Sequence, residues 1–288
     1  MSAILAIQVA DEPAAALFVE GTLRLAIREC VLRRAALTGG FPSAAVDAVL
    51  AVAGLRSAEI DRIVVVGVGT LGPLDRMRRL TARLRPAAAK SEGSVRVRRG
   101  TPPPTRLDPA ELARSLALAG LGHLRVVPID AGDAAVACPP SLPNVGGALA
   151  VGAALAHDAT LTVPVPSLWA PGFDDIAAYR ALSNGELPRA RVEDPIAVAA
   201  AALRAGRSVV WARGPAAFLD TPLGPRVFLT PGTGSPPPGW CGPPFGAANI
   251  QLLRAPDGIA AHSPTDVIRA FRALRADVLV LGDYVVER

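Results

Sequence analysis

At 288 residues, half of them apolar, the chain is long enough for two domains of ordinary size and too hydrophobic to be disordered. Its 30 basic residues are all arginine except Lys90, so Schiff-base chemistry would rest on one lysine in a loop-like stretch and is set aside. The widely spaced Cys30, Cys138 and Cys241 and the scattered His123, His157 and His262 exclude a disulfide framework and the usual zinc spacings.

No apolar run reaches the length of a membrane span, and Met1–Ala10 lacks the basic start and cleavage site of a secretory signal, which predicts a cytoplasmic protein. Charge is unevenly spread. The stretch from Arg76 to Arg106 carries a net +9 where the whole chain is +5, so the remainder is net acidic, −4. A basic segment of this kind grips phosphates or an acidic partner, but it has no aromatic residue to stack bases. It reads as a solvated arm rather than a nucleic-acid site.

In chain order, Ile4–Val9, Ala15–Glu20 and Thr22–Arg28 read as a meander of three strands, turned between the second and third at Glu20-Gly21. Ser43–Ala53 puts Val46, Val49, Leu50 and Ala53 on one helical face and stops at Gly54. Asp61–Val66 returns as an unbroken apolar strand suited to a buried parallel position. Strand, strand, strand, helix, strand is the opening of an actin-like or ribonuclease-H-like domain.

Asp108-Pro109, Asp194-Pro195 and Ser263-Pro264-Thr265-Asp266 each supply an N-cap followed by proline at the first helical position, and predict helices ending near Gly120, near Gly206 and before the strand Val278–Leu281. Pro143–Leu149 reads as a loop entering a small-residue helix through Ala156. Pro164–Pro171 marks a boundary, and Gly232–Phe245 an irregular loop.

Candidate chemistry is sparse. Gly67-x-Gly69-x-x-Gly72 follows a strand, with Glu92 some distance on, but Pro73 and the loop-like setting of Glu92 favour a plain strand exit over a dinucleotide fingerprint. Asp11 and Glu12 form an acid pair in the turn between the first two strands. Asp130 and Asp133 could hold Mg²⁺, which accepts one or two carboxylates plus water. Arg213 and Arg226 flank Gly214–Pro225, a segment that also holds Gly224, and could bind an anion. No Gly-x-Ser-x-Gly accompanies His157-Asp158, so no hydrolase triad is suggested.

The segments Ile4–Ile7 and Ala14–Gly21, with Glu29, Arg34 and Gly39-Gly40-Phe41-Pro42, resemble the start of the O-carbamoyltransferases of antibiotic and nodulation-factor biosynthesis. Ser263–Phe271 and Asp277–Tyr284 resemble that family's closing helix and strand, Pro143–Leu155 its glycine-and-alanine helix, and Gly214–Leu229 its arginine-rich loop. The resemblance implies a shortened actin-like domain over residues 1–158, with a smaller YrdC-like α/β lobe over 159–288. It also implies ATP, carbamoyl phosphate and a divalent metal as reactants and cofactor of a two-step carbamoyl transfer.

The departures from the family are charged positions. Its first-turn His-Asp pair stands at Asp11-Glu12, and its His-His-x-x-His-Ala metal motif falls on Ile129–Ala134, where no histidine remains. In its arginine-rich loop Gly214, Gly224 and Arg226 persist, but Ala217 and Thr221 replace a glutamate and an arginine. Losing one donor to a transferring group costs on the order of a hundredfold in rate. The resemblance therefore implies a non-catalytic paralogue that binds an active carbamoyltransferase or a second copy. The rival is a divergent ATP- and carbamoyl-phosphate-dependent transferase using Asp11, Glu12, Asp130 and Asp133 around Mg²⁺, and a third reading is a nucleotide-binding accessory protein.

Overall fold

A computed structural model describes residues 2–9, 12–35, 39–68, 107–138, 148–164, 170, 172–215, 225–236, 240 and 242–288. The glycine motif beyond Val68, the basic stretch with Lys90 and Glu92, and the family-like segments 143–147 and 216–224 lie outside the described residues.

The meander forms as expected: β1 (Ala3–Gln8), β2 (Ala14–Val19) and β3 (Thr22–Arg28) pair antiparallel. Glu20 and Gly21 take φ of 51° and 74°, the two left-handed residues of a tight hairpin whose twist matches the strands it joins. A short helix α1 (Glu29–Arg33) follows, which periodicity does not announce, and then α2 (Ser43–Ala53). Gly54 closes α2 at φ 68°, returning its N–H to Ala51 and Leu50 as expected of a glycine stop.

Strand β4 (Arg62–Val66) lies parallel to β1, and its four apolar residues are buried. Helix α3 (Pro109–Leu118) starts where Asp108 Oδ1 accepts from the Ala110 amide at 2.8 Å. Strand β5 (Val126–Ile129) joins β4 at the sheet edge, where Pro128 is tolerated. Helices α4 (Ala131–Ala137) and α5 (Ala148–His157) then cover one face. The order is β3-β2-β1-β4-β5.

The second half contains α6 (Asp175–Asn184), β6 (Ala190–Arg191), α7 (Pro195–Arg204), β7 (Val209–Ala212), β8 (Arg226–Pro231), β9 (Ala248–Leu252), α8 (Pro264–Leu274), β10 (Val278–Leu281) and β11 (Tyr284–Glu287). The N-caps read from sequence at Asp194 and Ser263 are in place, and Asp174 caps α6 in the same way. The sheet runs β6-β11-β10-β7-β8-β9. From its far side, β9-β8-β7-β10-β11 repeats the order of the first sheet. In both sheets three antiparallel strands precede a fourth strand parallel to the first, with α1 and α2 intervening in the first sheet and one helix in the second. The fifth strand differs, being parallel in the first sheet and a hairpin partner in the second.

Both sheets are mixed and are covered on both faces, so the molecule is an α/β protein with two sheets. Each of the four apolar clusters draws its members from one half of the chain. The first two reach no further than Val163, and the others begin no earlier than Phe173. Among the described residues no helix is long and apolar enough to cross a membrane.

Candidate functional site at the facing strand ends

Ligands of open α/β sheets gather beyond the carboxyl ends of parallel strands. In the first lobe that end is the row Arg28, Ala14, Gln8, Val66 and Ile129, set by strand register. In the second lobe it is the row Leu281, Ala212 and Arg226. Segments just beyond the two ends meet at Arg34. Arg34, just past α1, donates from Nη2 to both oxygens of Asp257 at 2.6 and 2.7 Å, and from Nη1 to the Ala260 carbonyl at 3.1 Å. Its Nη1 also lies 3.4 Å from Asp266 Oδ2.

Asp266 is the third residue of α8 and closes a capping box. Its Oδ2 accepts from Ser263 N at 3.1 Å while Ser263 Oγ accepts from Asp266 N at 3.2 Å. Arg226, the first residue of β8, is 4% exposed. It donates from Nη1 to the His262 carbonyl and from Nη2 to the Gly214 carbonyl at 3.2 Å, and its guanidinium lies 4.6 Å from the centre of the Phe173 ring. Burial pushes the Arg226 pKa down to about 9, with the negative charge of Asp266 working the other way. Burial, then the positive charge of Arg226, pushes His262 down to about 4, so its imidazole is neutral at pH 7.

The residues singled out from sequence are distributed along these ends. Glu12 is exposed and its Oε2 lies 3.5 Å from Arg28 Nη1; Asp11 and Gly224 are outside the described residues. Arg213 donates to Asp283 Oδ1 at 2.8 Å, and Asp283 also receives Arg191 at 3.4 Å. Burial opposes the charge on Asp283, but Arg191 and Arg213 outweigh it and hold its carboxyl below the usual carboxylate range. Gly214, at φ 77°, contributes its carbonyl to Arg226.

Asp130 is the N-cap of α4, with Oδ1 accepting from Gly132 N at 2.7 Å. Asp133 is exposed one turn on, beside an open cleft of about 340 Å³ lined by Ile129, Val136, Ala137 and Ala156. One oxygen of Asp130 is thus taken up by the start of its own helix, and Asp133 stands against apolar and small residues. Among the described residues no three His, Cys, Asp or Glu side chains cluster to hold one.

Sequence reading missed the centre of this arrangement, which is Asp257, His262 and Asp266. Asp266 was legible as a cap but not as a counter-charge, because the arginine that meets it stands 232 positions earlier in the chain. Arg34 entered only as one residue of the family resemblance. The chain matches no protein-family model and no curated protein.

Proposed function

We propose that this chain is a carbamoyltransferase-like protein without a reaction of its own, acting as a partner subunit of an active homologous transferase or of a second copy. One observation carries the reading. The cations where the two lobes meet already have partners, Arg34 on the carboxylates of Asp257 and Asp266 and Arg226 on the backbone carbonyls of His262 and Gly214. An anionic donor such as ATP or carbamoyl phosphate needs preorganised cations whose donors are not already taken up by the protein's own acceptors. Two other candidate residues are also in use, Arg213 on Asp283 and Asp130 as a helix cap.

For the fold, the repeated strand-strand-strand-helix-strand order supports an actin-like or ribonuclease-H-like unit in each lobe. It favours that pairing over a YrdC-like second lobe. The division near residues 158–171 is supported by apolar clusters that do not cross it.

One observation favours the rival reading as a nucleotide-dependent transferase or nucleotide-binding protein. Arg226 Nε is buried and has no hydrogen-bond partner among the described residues, which leaves one donor for an anion. Thermal denaturation of the purified chain with and without ATP, Mg²⁺ and carbamoyl phosphate separates the two, since a ligand of the native state raises the transition. The partner reading expects no shift, together with a stable complex on size-exclusion chromatography with light scattering, either as a dimer or with an active homologue. A saturable shift that Arg226→Met abolishes would establish the rival instead.

A further inference from the structure

We infer that Arg34 is a closure latch that holds the two lobes together and, through the start of α8, sets the position of Arg226. It does so whether or not the chain catalyses a reaction. Lobes that share a large apolar interface move as one body, whereas lobes joined by polar contacts move relative to each other by default. Here each apolar cluster stops at its own lobe.

The crossing segment is anchored beside the β2–β3 turn. Leu23 N donates to Thr162 O at 2.9 Å, and Thr162 N donates to Gly21 O at 2.7 Å. That is the start of β3, while Arg34 lies past its end. A seven-residue strand spans roughly 20 Å, so the crossing and the Arg34 contact tie the lobes at widely separated points. Releasing the second tie leaves the first as a hinge.

Each half of the latch is held by contacts within its own lobe. On the Arg34 side, the buried carboxylate of Glu29 accepts from Ala44 N at 3.1 Å, Ala45 N at 2.7 Å and Arg33 Nε at 2.9 Å, which fixes α1 on α2. Arg34 then caps α1 at φ 54°, a left-handed conformation that costs a side-chain-bearing residue and aims the chain away from the helix. On the opposite side Asp257 Oδ1 accepts from Ile259 N at 3.1 Å, and Asp266 is held by its capping box. Two carboxylates placed by backbone amides receive one planar guanidinium, a geometry that a lysine cannot reproduce.

The contact also reaches further into the second lobe. Asp266 Oδ2, 3.4 Å from Arg34, accepts from His262 N at 3.4 Å, and the carbonyl of the same His262 receives Arg226, which holds Gly214 at the foot of the β7–β8 connection. Closing the lobes and holding the Arg226–Gly214 contact are therefore linked through one short segment.

The test is small-angle scattering with limited proteolysis on the full chain. A compact chain of this length has a radius of gyration of about 19 Å. Arg34→Ala and Asp257→Asn should raise it by about 1–2 Å and speed cleavage between the lobes, as opening of a hinge requires. Arg34→Lys should fall between, and wild type should expand as salt rises toward 1 M. If Arg34→Ala does not fold, the Asp257→Asn variant and the salt series on wild type decide the matter. Scattering and cleavage unchanged in both would overturn the latch.

Discussion

Arg226 donates to the main-chain carbonyl of His262, and its positive charge helps keep the imidazole of the same residue neutral. The folded pKa of His262, about 4, lies below its unfolded value of 6.5. Between those values the unfolded chain binds the proton and the folded chain does not, so stability rises with pH across that interval. The contribution is fully present above pH 6.5 and is lost as pH falls toward 4, with a size on the order of 3 kcal/mol. Denaturant midpoints from pH 4 to 7.5 should show this slope, and His262→Gln should flatten it.

Gly152 lies where α5 crosses α4. A Cβ there would sit 2.0 Å from the Ala134 carbonyl oxygen and 3.4 Å from Cys138 Cβ. Gly152→Ala should therefore destabilise the first lobe although alanine is the better helix former, because overpacking a fixed backbone costs about 1–3 kcal/mol. Urea denaturation followed by far-ultraviolet circular dichroism would read it. A neutral or stabilising result would mean that the two helices separate more easily than their packing implies.

Glu29 stands in for the N-cap that Pro42 cannot supply to α2, its carboxylate meeting the amides of Ala44 and Ala45. Glu29→Ala leaves these donors without it in a buried setting, and a loss of about 2 kcal/mol is expected. Glu29→Gln keeps one acceptor and should lose less. The comparison is made by thermal melts of the two variants at pH 7.

Asp130 distinguishes a cap from a metal ligand. As a cap, Asp130→Asn should be nearly neutral and Asp130→Ala should cost about 1 kcal/mol, since asparagine caps as well as aspartate. Isothermal titration with Mg²⁺ should show no saturable binding for wild type or either variant. Saturable binding by wild type that both substitutions remove would return Asp130 to the metal role.

The elements most legible in the sequence were those whose signals are local. The Glu20-Gly21 hairpin needs two left-handed residues in a row, and Gly54 ends α2 without a Cβ penalty. Asp108, Asp194 and Ser263 mark helix starts because their side chains accept from backbone amides two or three residues away. Helix α1 was not legible, because five residues held by the buried Glu29 carry too short a pattern. Strand β5, with half-buried residues and an edge proline, lacks the alternation that would announce it.

The sequence by itself determined the alternation of strands and helices, the caps that start the helices, and a composition with three histidines and one lysine. Only the tertiary structure decided which charges meet. Arg34 finds Asp257 and Asp266 across more than 200 residues, and Arg226 finds the carbonyls of Gly214 and His262. The reason is physical: a cap or a turn is settled by backbone geometry within a few residues, whereas the partner of a long cation depends on where two separately packed sheets present their ends.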